Sequence, residues 1–366
     1  MFAAVVMFAA QIYYYLVYYA RIPKYRNDRR GEQGAVEQGI SVIVLLSDNQ
    51  WYLENILPKL LTQEYPQFEI VVVNLGSDDD FSEELALLKE RYPNLSTTKI
   101  ELDQRFPLSN KMAYNVGIKA ASYENIILTT ADAHPVSPKW LSCMARGFAN
   151  GEVVIGYCGV ERRKGLANKI IRCSRLMVSV RYLAAAIKGR PYRGMIHNLG
   201  FTRKLYFAHR GFDHLDMNLG EDDLFVQRIA TRQNTSIVMN PHAAVKQAQW
   251  GGLGWWWQRR RFFSSTFRYY PRQAKNPIQW ELGSRMLFYA AVATLAAVMP
   301  FEIQMGAAGL WLVRVVLVRL GTWKIRRRLN EGGLGWAMLF YDIIAPLTET
   351  ILSIARRIKP AAGVWR

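Results

Sequence analysis

Cysteine is scarce in this chain of 366 residues, which has three: Cys143, Cys158 and Cys173. They are too far apart for the CxxC pairs of a metal site, and they are odd in number. We therefore expect buried thiols in a reducing compartment. The chain also lacks internal repeats and low-complexity tracts, and because 51% of its residues are hydrophobic we expect it to fold.

Acidic residues are in the minority, with 29 Asp and Glu against 47 Lys and Arg and a formal net charge of +18. This excess predicts an anionic partner, which could be nucleic acid, acidic phospholipid or a phosphorylated small molecule. The basic residues gather where apolar segments end, as in loops kept on the cytoplasmic side of a membrane. They are Arg21, Lys24, Arg26, Arg29 and Arg30, then Arg319, Lys324, Arg326, Arg327 and Arg328, then Arg356, Arg357 and Lys359. This distribution favours a membrane and phosphorylated molecules, and we expect no nucleic acid partner.

Residues 1–20 contain Gln11 as their only strongly polar residue and end in a cluster of tyrosines. This segment has about the length needed to cross a bilayer, and tyrosines are common at membrane interfaces. It therefore predicts a transmembrane helix. A cleaved signal peptide would carry positive charge before its apolar run, whereas here every Arg and Lys comes after it, which orients the following chain toward the cytoplasm.

Apolar character returns near the C-terminus, where we assign residues 283–322 to membrane helices. The apolar runs at 286–300 and 303–320, the second interrupted by Arg314, are each marginal in length for a span and could form a hairpin or a partly interfacial pair. Residues 330–358 predict an amphipathic helix on the cytoplasmic surface, since charged residues interrupt their apolar face. Those residues are Asp342, Glu349, Arg356 and Arg357.

Strands and helices are expected to alternate between residues 38 and 250. The expected elements are strand 40–46, helix 53–61, strand 68–73, helix 82–92, strand 98–102, helix 110–121 and strand 125–129. Strand, helix and strand in succession form a right-handed βαβ unit that opens a doubly wound, mostly parallel, Rossmann-like α/β sheet. Ligands bind at the carboxyl ends of such strands, so Ser47, Asn74 and Ser77 should line a nucleotide pocket, although Asn74 could equally be a turn residue.

Two segments near these strand ends carry polar side chains. Lys111 and Asn115 lie on a helix, where a lysine is ordinarily solvated. Asp132 and His134 follow a strand, directly after Ala131, and form either a strand-end turn or a divalent-cation site. A carboxylate is the hard ligand that Mg²⁺ prefers, and an added His suits Mn²⁺ better.

Two later segments carry opposite charges. Glu221, Asp222 and Asp223 precede a helix, where the helix dipole favours acidic residues, but a carboxylate could also act as a general base. Trp255–Trp257 are followed by Gln258 and three arginines, a pattern typical of an interfacial anchor. Arginine also offers planar forks for phosphate oxygens.

The order of these segments resembles that of processive-type family 2 glycosyltransferases, the inverting GT-A class that includes cellulose synthase-like and ceramide glucosyltransferase-like membrane enzymes. The resemblance covers about residues 38–270. It departs from the family pattern at Asn74 and Thr130, which stand where the family has Asp, and at Phe262, which stands where the family has Trp.

The resemblance implies a cytoplasmic GT-A catalytic domain over 38–250 and an interfacial segment over 251–282, in a bacterial-type inner (cytoplasmic) membrane or an equivalent one. It implies sugar transfer from a nucleotide-diphosphate sugar, with UDP favoured, assisted by Mg²⁺ or Mn²⁺. Asp222 would be the catalytic base, flanked by Glu221 and by Asp223 as the fallback. The implied metal ligands are Asp132 and His134. The implied nucleotide-sugar-binding residues are Ser47, Asn74, Ser77, Lys111, Asn115, Ala131, Gln258, Arg260 and Arg261.

The acceptor is expected to be a lipid or a lipid-linked sugar, because the chain has too few apolar spans to build a polysaccharide channel. A polysaccharide synthase subunit is the alternative. A non-catalytic membrane scaffold is a further alternative, motivated by Asn74 and Thr130. Retention of Asp132, Asp222 and Arg261 argues against the scaffold, because a decayed site should lose those residues as readily.

Overall fold

The computed structural model of this protein describes residues 2–26, 38–100, 109–213 and 219–358, with side chains up to residue 355. The described chain forms two units. The sheet unit lies within Arg26–Glu161 and Pro191–Gln249, and the helical unit lies within Met1–Tyr25, Arg162–Arg190 and Trp250–Ala362.

Strands are confined to the sheet unit. They are β1 (Ile40–Leu46), β2 (Phe68–Asn74), β3 (Leu95–Lys99), β4 (Asn125–Leu128), β5 (Ala133–Pro135), β6 (Val153–Gly156), β7 (Cys158–Val160), β8 (Leu199–Thr202), β9 (Thr235–Val238) and β10 (Val245–Gln247).

Helices occur in both units. They are α1 (Phe2–Ile12), α2 (Arg21–Lys24), α3 (Gln50–Asn55), α4 (Leu57–Leu61), α5 (Asp79–Arg91), α6 (Asn110–Ala120), α7 (Trp140–Phe148), α8 (Leu166–Ile187), α9 (Arg203–Ala208), α10 (Leu224–Ile229), α11 (Leu253–Phe263), α12 (Arg272–Val298), α13 (Phe301–Arg328) and α14 (Gly335–Ile358). A π-helical segment, Tyr13–Tyr18, continues α1.

The main sheet has seven described strands in the order β3-β2-β1-β4-β8-β6-β9. Strands β1, β2, β3 and β4 pair in parallel, and β8 is antiparallel to both of its neighbours. A second sheet, in the order β5-β10-β7, starts where the chain leaves β4. The predicted doubly wound, mostly parallel α/β sheet with long apolar helices at both ends of the chain is confirmed.

Helix α6 packs against β1 and β2 at Gly117. A Cβ atom built on this glycine would lie 2.6 Å from a methyl carbon of Ile43 and 2.7 Å from one of Val73. Both distances are shorter than a van der Waals contact, so only glycine lets the helix backbone come this close to the sheet. This packing fixes the start of α6, where Lys111 lies.

Some predicted elements differ from the observed ones. The helix expected over 53–61 is divided into α3 and α4 at Ile56, because Pro58 begins a new first turn and has no backbone N–H to continue the old one. Strand β3 begins earlier than expected because its one buried apolar residue is Leu95. The predicted continuation of that strand over 101–102 lies outside the described residues.

The helical unit contains four helices that are long and apolar enough to cross a membrane, among the residues that the structure describes. They are Phe2–Lys24, Arg272–Val298, Phe301–Arg328 and Gly335–Ala355. Helices α12 and α13 are therefore longer than the marginal runs we expected, and they form a hairpin joined at Met299 and Pro300. Helix α8 also belongs to this unit, although we expected 38–250 to be one continuous domain.

The C-terminal helix α14 differs from the predicted surface helix. Its Asp342 is buried and binds Arg314 of α13, with 2.7 Å between Nη2 and Oδ2. Its large exposed side chains are apolar, with Trp336, Phe340 and Leu347 each more than half exposed. Polar groups facing other helices and apolar groups facing outward are typical of a helix within a membrane, so the prediction of a helix lying on the surface is not supported.

Candidate active site

The loops after β1 and β2 are tied together by side chains. The Asp48 N–H donates to Ser77 Oγ (3.1 Å), and the Asp78 N–H donates to Asp48 Oδ1 (3.1 Å). Asn74 accepts from the Ser77 N–H (2.9 Å) and donates to Ser82 Oγ (3.2 Å). These bonds support the turn role of Asn74, because its amide is already used to close the loop. Ser47 is exposed at the same strand end.

Lys111 and Asn115 lie on the first turns of α6. Lys111 is buried, with only 3% of its surface exposed, so it is not the solvated helix lysine of the alternative interpretation. Burial raises the pKa of Glu221, and the positive charge of Lys111 offsets part of that rise. Asn115 accepts a hydrogen bond from the Tyr206 hydroxyl at 3.5 Å.

Asp132 is held by neutral donors on both carboxylate oxygens. The Thr130 hydroxyl donates to Oδ1 (2.7 Å), and Gln247 Nε2 donates to Oδ2 (2.7 Å). The nearest imidazole is that of His197, with Nε2 3.7 Å from Oδ1. Thr130, where the family has Asp, thus orients Asp132.

His134 points to a different set of groups than we predicted. Its Nδ1 lies 3.4 Å from Glu161 Oε1, and burial lowers its pKa. The reason is that β5 leaves the main sheet and pairs with β10, which places His134 opposite Lys246 and near Glu161. Among the described residues no group of three or more His, Cys, Asp or Glu could by itself hold a metal ion. The pair that best fits a divalent cation is Asp132 and His197, a carboxylate with an imidazole.

The acidic triplet lies in a turn before α10, after Gly220, whose φ of +114° favours glycine. Glu221, Asp222 and Asp223 are all buried. Burial, together with the charges of Asp222 and Asp223, raises the pKa of Glu221 to about 8. Asp223 caps α10 by accepting the Leu224 N–H at 2.6 Å. Of the three, Asp223 therefore has a helix-capping role, as the helix-start interpretation expects.

Asp222 forms an ion pair that the sequence did not suggest. Arg193 Nη2 lies 2.9 Å from Asp222 Oδ2, and both side chains are largely buried. The backbone binds at the same place, since the Gly194 N–H donates to the Asp222 carbonyl at 2.7 Å. The sequence carries no signal for Arg193, because the ion pair joins side chains that are 29 residues apart in the chain.

The Tyr114 hydroxyl is influenced by charges from both Asp132 and the acidic triplet. Burial raises the pKa of this hydroxyl, and the negative charges of Glu221 and Asp132 add to the rise. The sheet unit thus brings together Asp132, His197, Lys111 and the acidic triplet with Arg193, whereas His134 lies with Glu161.

Gln258, Arg260 and Arg261 lie on α11 in the helical unit. Gln258 is exposed and Arg261 is half-buried. Arg260 forms an ion pair with Glu349 of α14. Arg260 was predicted to bind the nucleotide sugar, but its guanidinium has a carboxylate partner within its own unit.

Known proteins resemble this chain in family and in fold. The model of the family described as glycosyl transferase family 21 matches residues 2–355. A poly-beta-1,6-N-acetyl-D-glucosamine synthase from Staphylococcus epidermidis is 32% identical over 95 residues, which cover 26% of this chain and 22% of that protein. The synthase from Staphylococcus aureus strain COL is 26% identical over 132 residues, covering 36% of this chain and 30% of that protein. The matches thus span less than a third of the length of these relatives.

Among solved structures, a mannosyltransferase from Pyrobaculum calidifontis in complex with GDP-Man and Mn²⁺ has the same fold. It superposes with a TM-score of 0.55 and 20% sequence identity, covering 94% of this chain and 98% of that chain.

Proposed function

Because this chain belongs to glycosyl transferase family 21, we propose that it is a membrane-bound inverting enzyme that moves a sugar from a nucleotide-diphosphate sugar to a lipid or lipid-linked acceptor. Family membership makes the chain a glycosyltransferase, which argues against the scaffold alternative. The observation that carries the finer proposal is the buried Asp222 carboxylate, whose Oδ2 is paired with Arg193 Nη2 at 2.9 Å.

Asp222 is our candidate for the base. In a direct displacement the acceptor hydroxyl oxygen bonds to the anomeric carbon as the bond to the diphosphate breaks, and Asp222 takes the hydroxyl proton. The nucleotide diphosphate leaves from the opposite face, so no covalent sugar intermediate forms. Glu221 is a poorer base at neutral pH, because its pKa of about 8 keeps it mostly protonated. Asp223 is a poorer candidate because it caps α10.

The donor is proposed to bind at the carboxyl ends of β1, β2 and β4. Ser47, Ser77 and Ala131 lie there, and Lys111 supplies a buried positive charge on α6. Asn74 and Asn115 are also proposed to bind the nucleotide sugar, because of their positions in the loop and on the helix. Gln258 and Arg261 are proposed to bind it on the motif pattern alone. We favour a UDP-sugar on the resemblance, with GDP as the alternative to be tested.

A divalent cation is proposed to be held by Asp132 with His197. When bound, Mg²⁺ or Mn²⁺ would neutralise charge on the diphosphate leaving group. The carboxylate and imidazole suit Mn²⁺ somewhat better than Mg²⁺. Thr130 and Gln247 hold the Asp132 carboxylate in one orientation, as partners of metal ligands commonly do.

The acceptor is proposed to be lipidic because the helical unit offers only four described helices that could cross a membrane. Polysaccharide synthesis is the second candidate, since the curated relatives are named as polysaccharide synthases. Basic residues at the ends of the apolar segments favour a cytoplasmic catalytic unit in a bacterial-type inner membrane or its equivalent.

Calorimetric titration of the detergent-purified protein with UDP and GDP, each with and without Mg²⁺ or Mn²⁺, tests the donor and the cation together. We expect metal-dependent binding of one nucleotide. The Asp222→Asn variant should bind that nucleotide with the wild-type affinity but hydrolyse and transfer sugar only at a small residual rate. Equal turnover in Asp222→Asn and the wild type would reject Asp222 as the base, and no nucleotide binding under any condition would reject the donor proposal.

A further inference from the structure

Seven charged side chains form a continuous series of ion pairs through the helical unit. Each cation in the series contacts an anion, and each anion contacts two cations or more. In order along the series they are Arg314, Asp342, Arg285, Glu281, Arg181, Glu349 and Arg260.

One end of the series is fully enclosed by other helices. Arg314 and Asp342 are each no more than 3% exposed. Gln11 Oε1 accepts from Arg314 Nη1 at 3.1 Å, and the Tyr15 hydroxyl donates to Asp342 Oδ1 at 3.0 Å. Asp342 also lies 3.3 Å from Arg285 Nη1. This end is therefore fixed by hydrogen bonds from α1, its π-helical continuation and three other helices.

The middle of the series is Glu281, which is 1% exposed. It contacts Arg285 one turn further along α12, and it accepts from Arg181 Nη2 of α8 at 3.0 Å. Arg181 in turn reaches α14, with Nη1 3.8 Å from Glu349 Oε1. The positions of α8, α12 and α14 are thus coupled through buried charges.

The outer end of the series holds α11. None of the residues of α11 is fully buried, and its aromatic residues are only half-buried. The ion pair of Arg260 with Glu349 attaches it to α14, with the two side chains 20% and 15% exposed. The neighbouring Arg259 lies instead over rings of its own helix, 5.1 Å from the Trp255 centroid and 5.3 Å from the Phe263 centroid.

We propose that Arg260 is a positioning residue that anchors α11 to α14 through Glu349, and that it does not contact the donor diphosphate. Its importance for sugar transfer rests on the proposed function, in which Gln258 and Arg261 of the same helix act on the donor. Without Arg260, the Glu349 carboxylate would keep, among the described side chains, only the more distant Arg181 as an ion-pair partner. Exchange of Glu349 for a phosphate is therefore disfavoured, and the anchor persists when the donor binds.

A double-mutant cycle with Arg260→Gln, Glu349→Gln and the double variant tests this role. If Arg260 acts through Glu349, each single change lowers kcat/KM by up to about 100-fold, the loss typical of a displaced binding group, and the double variant is no worse than the poorer single variant. The melting temperatures should show the same lack of additivity. Arg272→Gln, which removes an exposed arginine at the start of α12, is the matched control and should change neither quantity.

Two outcomes overturn the proposal. If Arg260→Gln weakens nucleotide binding as much in the Glu349→Gln background as in the wild type, Arg260 is a diphosphate ligand. If the two melting-temperature changes are additive, there is no anchor. A wild-type protein without transfer activity would instead reject the proposed function, and the melting-temperature cycle would still decide the anchor. Should Glu349→Gln fail to purify, Glu349→Asp, which keeps the charge but shortens the side chain, takes its place.

Discussion

The guanidinium of Arg193 lies 2.9 Å from the carboxylate of Asp222, across 29 residues of sequence, in a largely buried environment. A base must present one carboxylate oxygen to the acceptor hydroxyl, so a partner that holds the other oxygen fixes the orientation needed for proton transfer. The adjacent Gly194 N–H also donates a hydrogen bond to the Asp222 carbonyl, which holds the two segments together.

We expect Arg193→Gln to lower kcat by about 100-fold while changing the donor KM little, since it loosens the base rather than the donor site. The measurement is steady-state transfer in the Asp222 and Asp222→Asn backgrounds. The substitution should have no further effect on the residual rate of Asp222→Asn. Arg190→Gln, an exposed arginine nearby in the chain, should behave as wild type, and an equal loss in both backgrounds would show that Arg193 acts independently of Asp222.

The two candidate imidazoles can be separated by the metal dependence of nucleotide binding. His197→Ala should lower the affinity for Mn²⁺ by about 10–100-fold, which is the loss typical even of groups that only orient a metal ligand. His134→Ala should leave it unchanged, because His134 lies against Glu161. Titration of Mn²⁺ at a fixed nucleotide concentration measures both. If His134→Ala lowered the Mn²⁺ affinity more than His197→Ala, His134 would be the metal ligand, as the sequence predicted.

The two histidines also show what the sequence could and could not predict. Proximity along the chain favoured His134 as the neighbour of Asp132, but the chain turns into a second sheet at β5 and separates them. The acidic turn before α10 was predictable, because the apolar pattern indicates the helix start that this turn precedes. Arg193 was not, since its contact depends on tertiary packing between segments far apart in sequence. Arg314 looked like an interruption of an apolar run because its partner, Asp342, belongs to another helix.

The buried Glu221 should make stability depend on pH. Its pKa rises from 4.5 in the unfolded chain to about 8 in the fold, so its contribution is fully present below pH 4.5 and is lost as pH rises toward 8. The slope is at most about 1.4 kcal/mol per pH unit. We expect Glu221→Gln to flatten the fall in melting temperature between pH 5 and pH 8. Glu90→Gln, at an exposed position, is the control and should keep the wild-type slope.

The close approach of α6 to the sheet predicts a stability cost at Gly117. In Gly117→Ala the new methyl group would meet Ile43 and Val73 at less than 3 Å, and overpacking of this kind costs about 1–3 kcal/mol. Gly309→Ala is the matched control, because it adds the same methyl group to a helix with no atom within 4 Å. The melting temperature of Gly117→Ala should be lower than that of Gly309→Ala. Equal values would show that α6 can move away from β1 and β2 without loss.

The buried pair of Arg314 and Asp342 predicts unequal effects of single and double substitution. Asp342→Leu leaves Arg314 and Arg285 without their shared carboxylate, and breaking a buried pair in this way costs about 3–5 kcal/mol. Arg314→Met added to Asp342→Leu removes one of the two stranded cations, so the melting temperature should recover in part. Recovery stays incomplete because Arg285 keeps only Glu281 as its partner. If the double variant melts below Asp342→Leu, Arg314 stabilises the helices by contacts other than this ion pair, of which its hydrogen bond to Gln11 is the first to test.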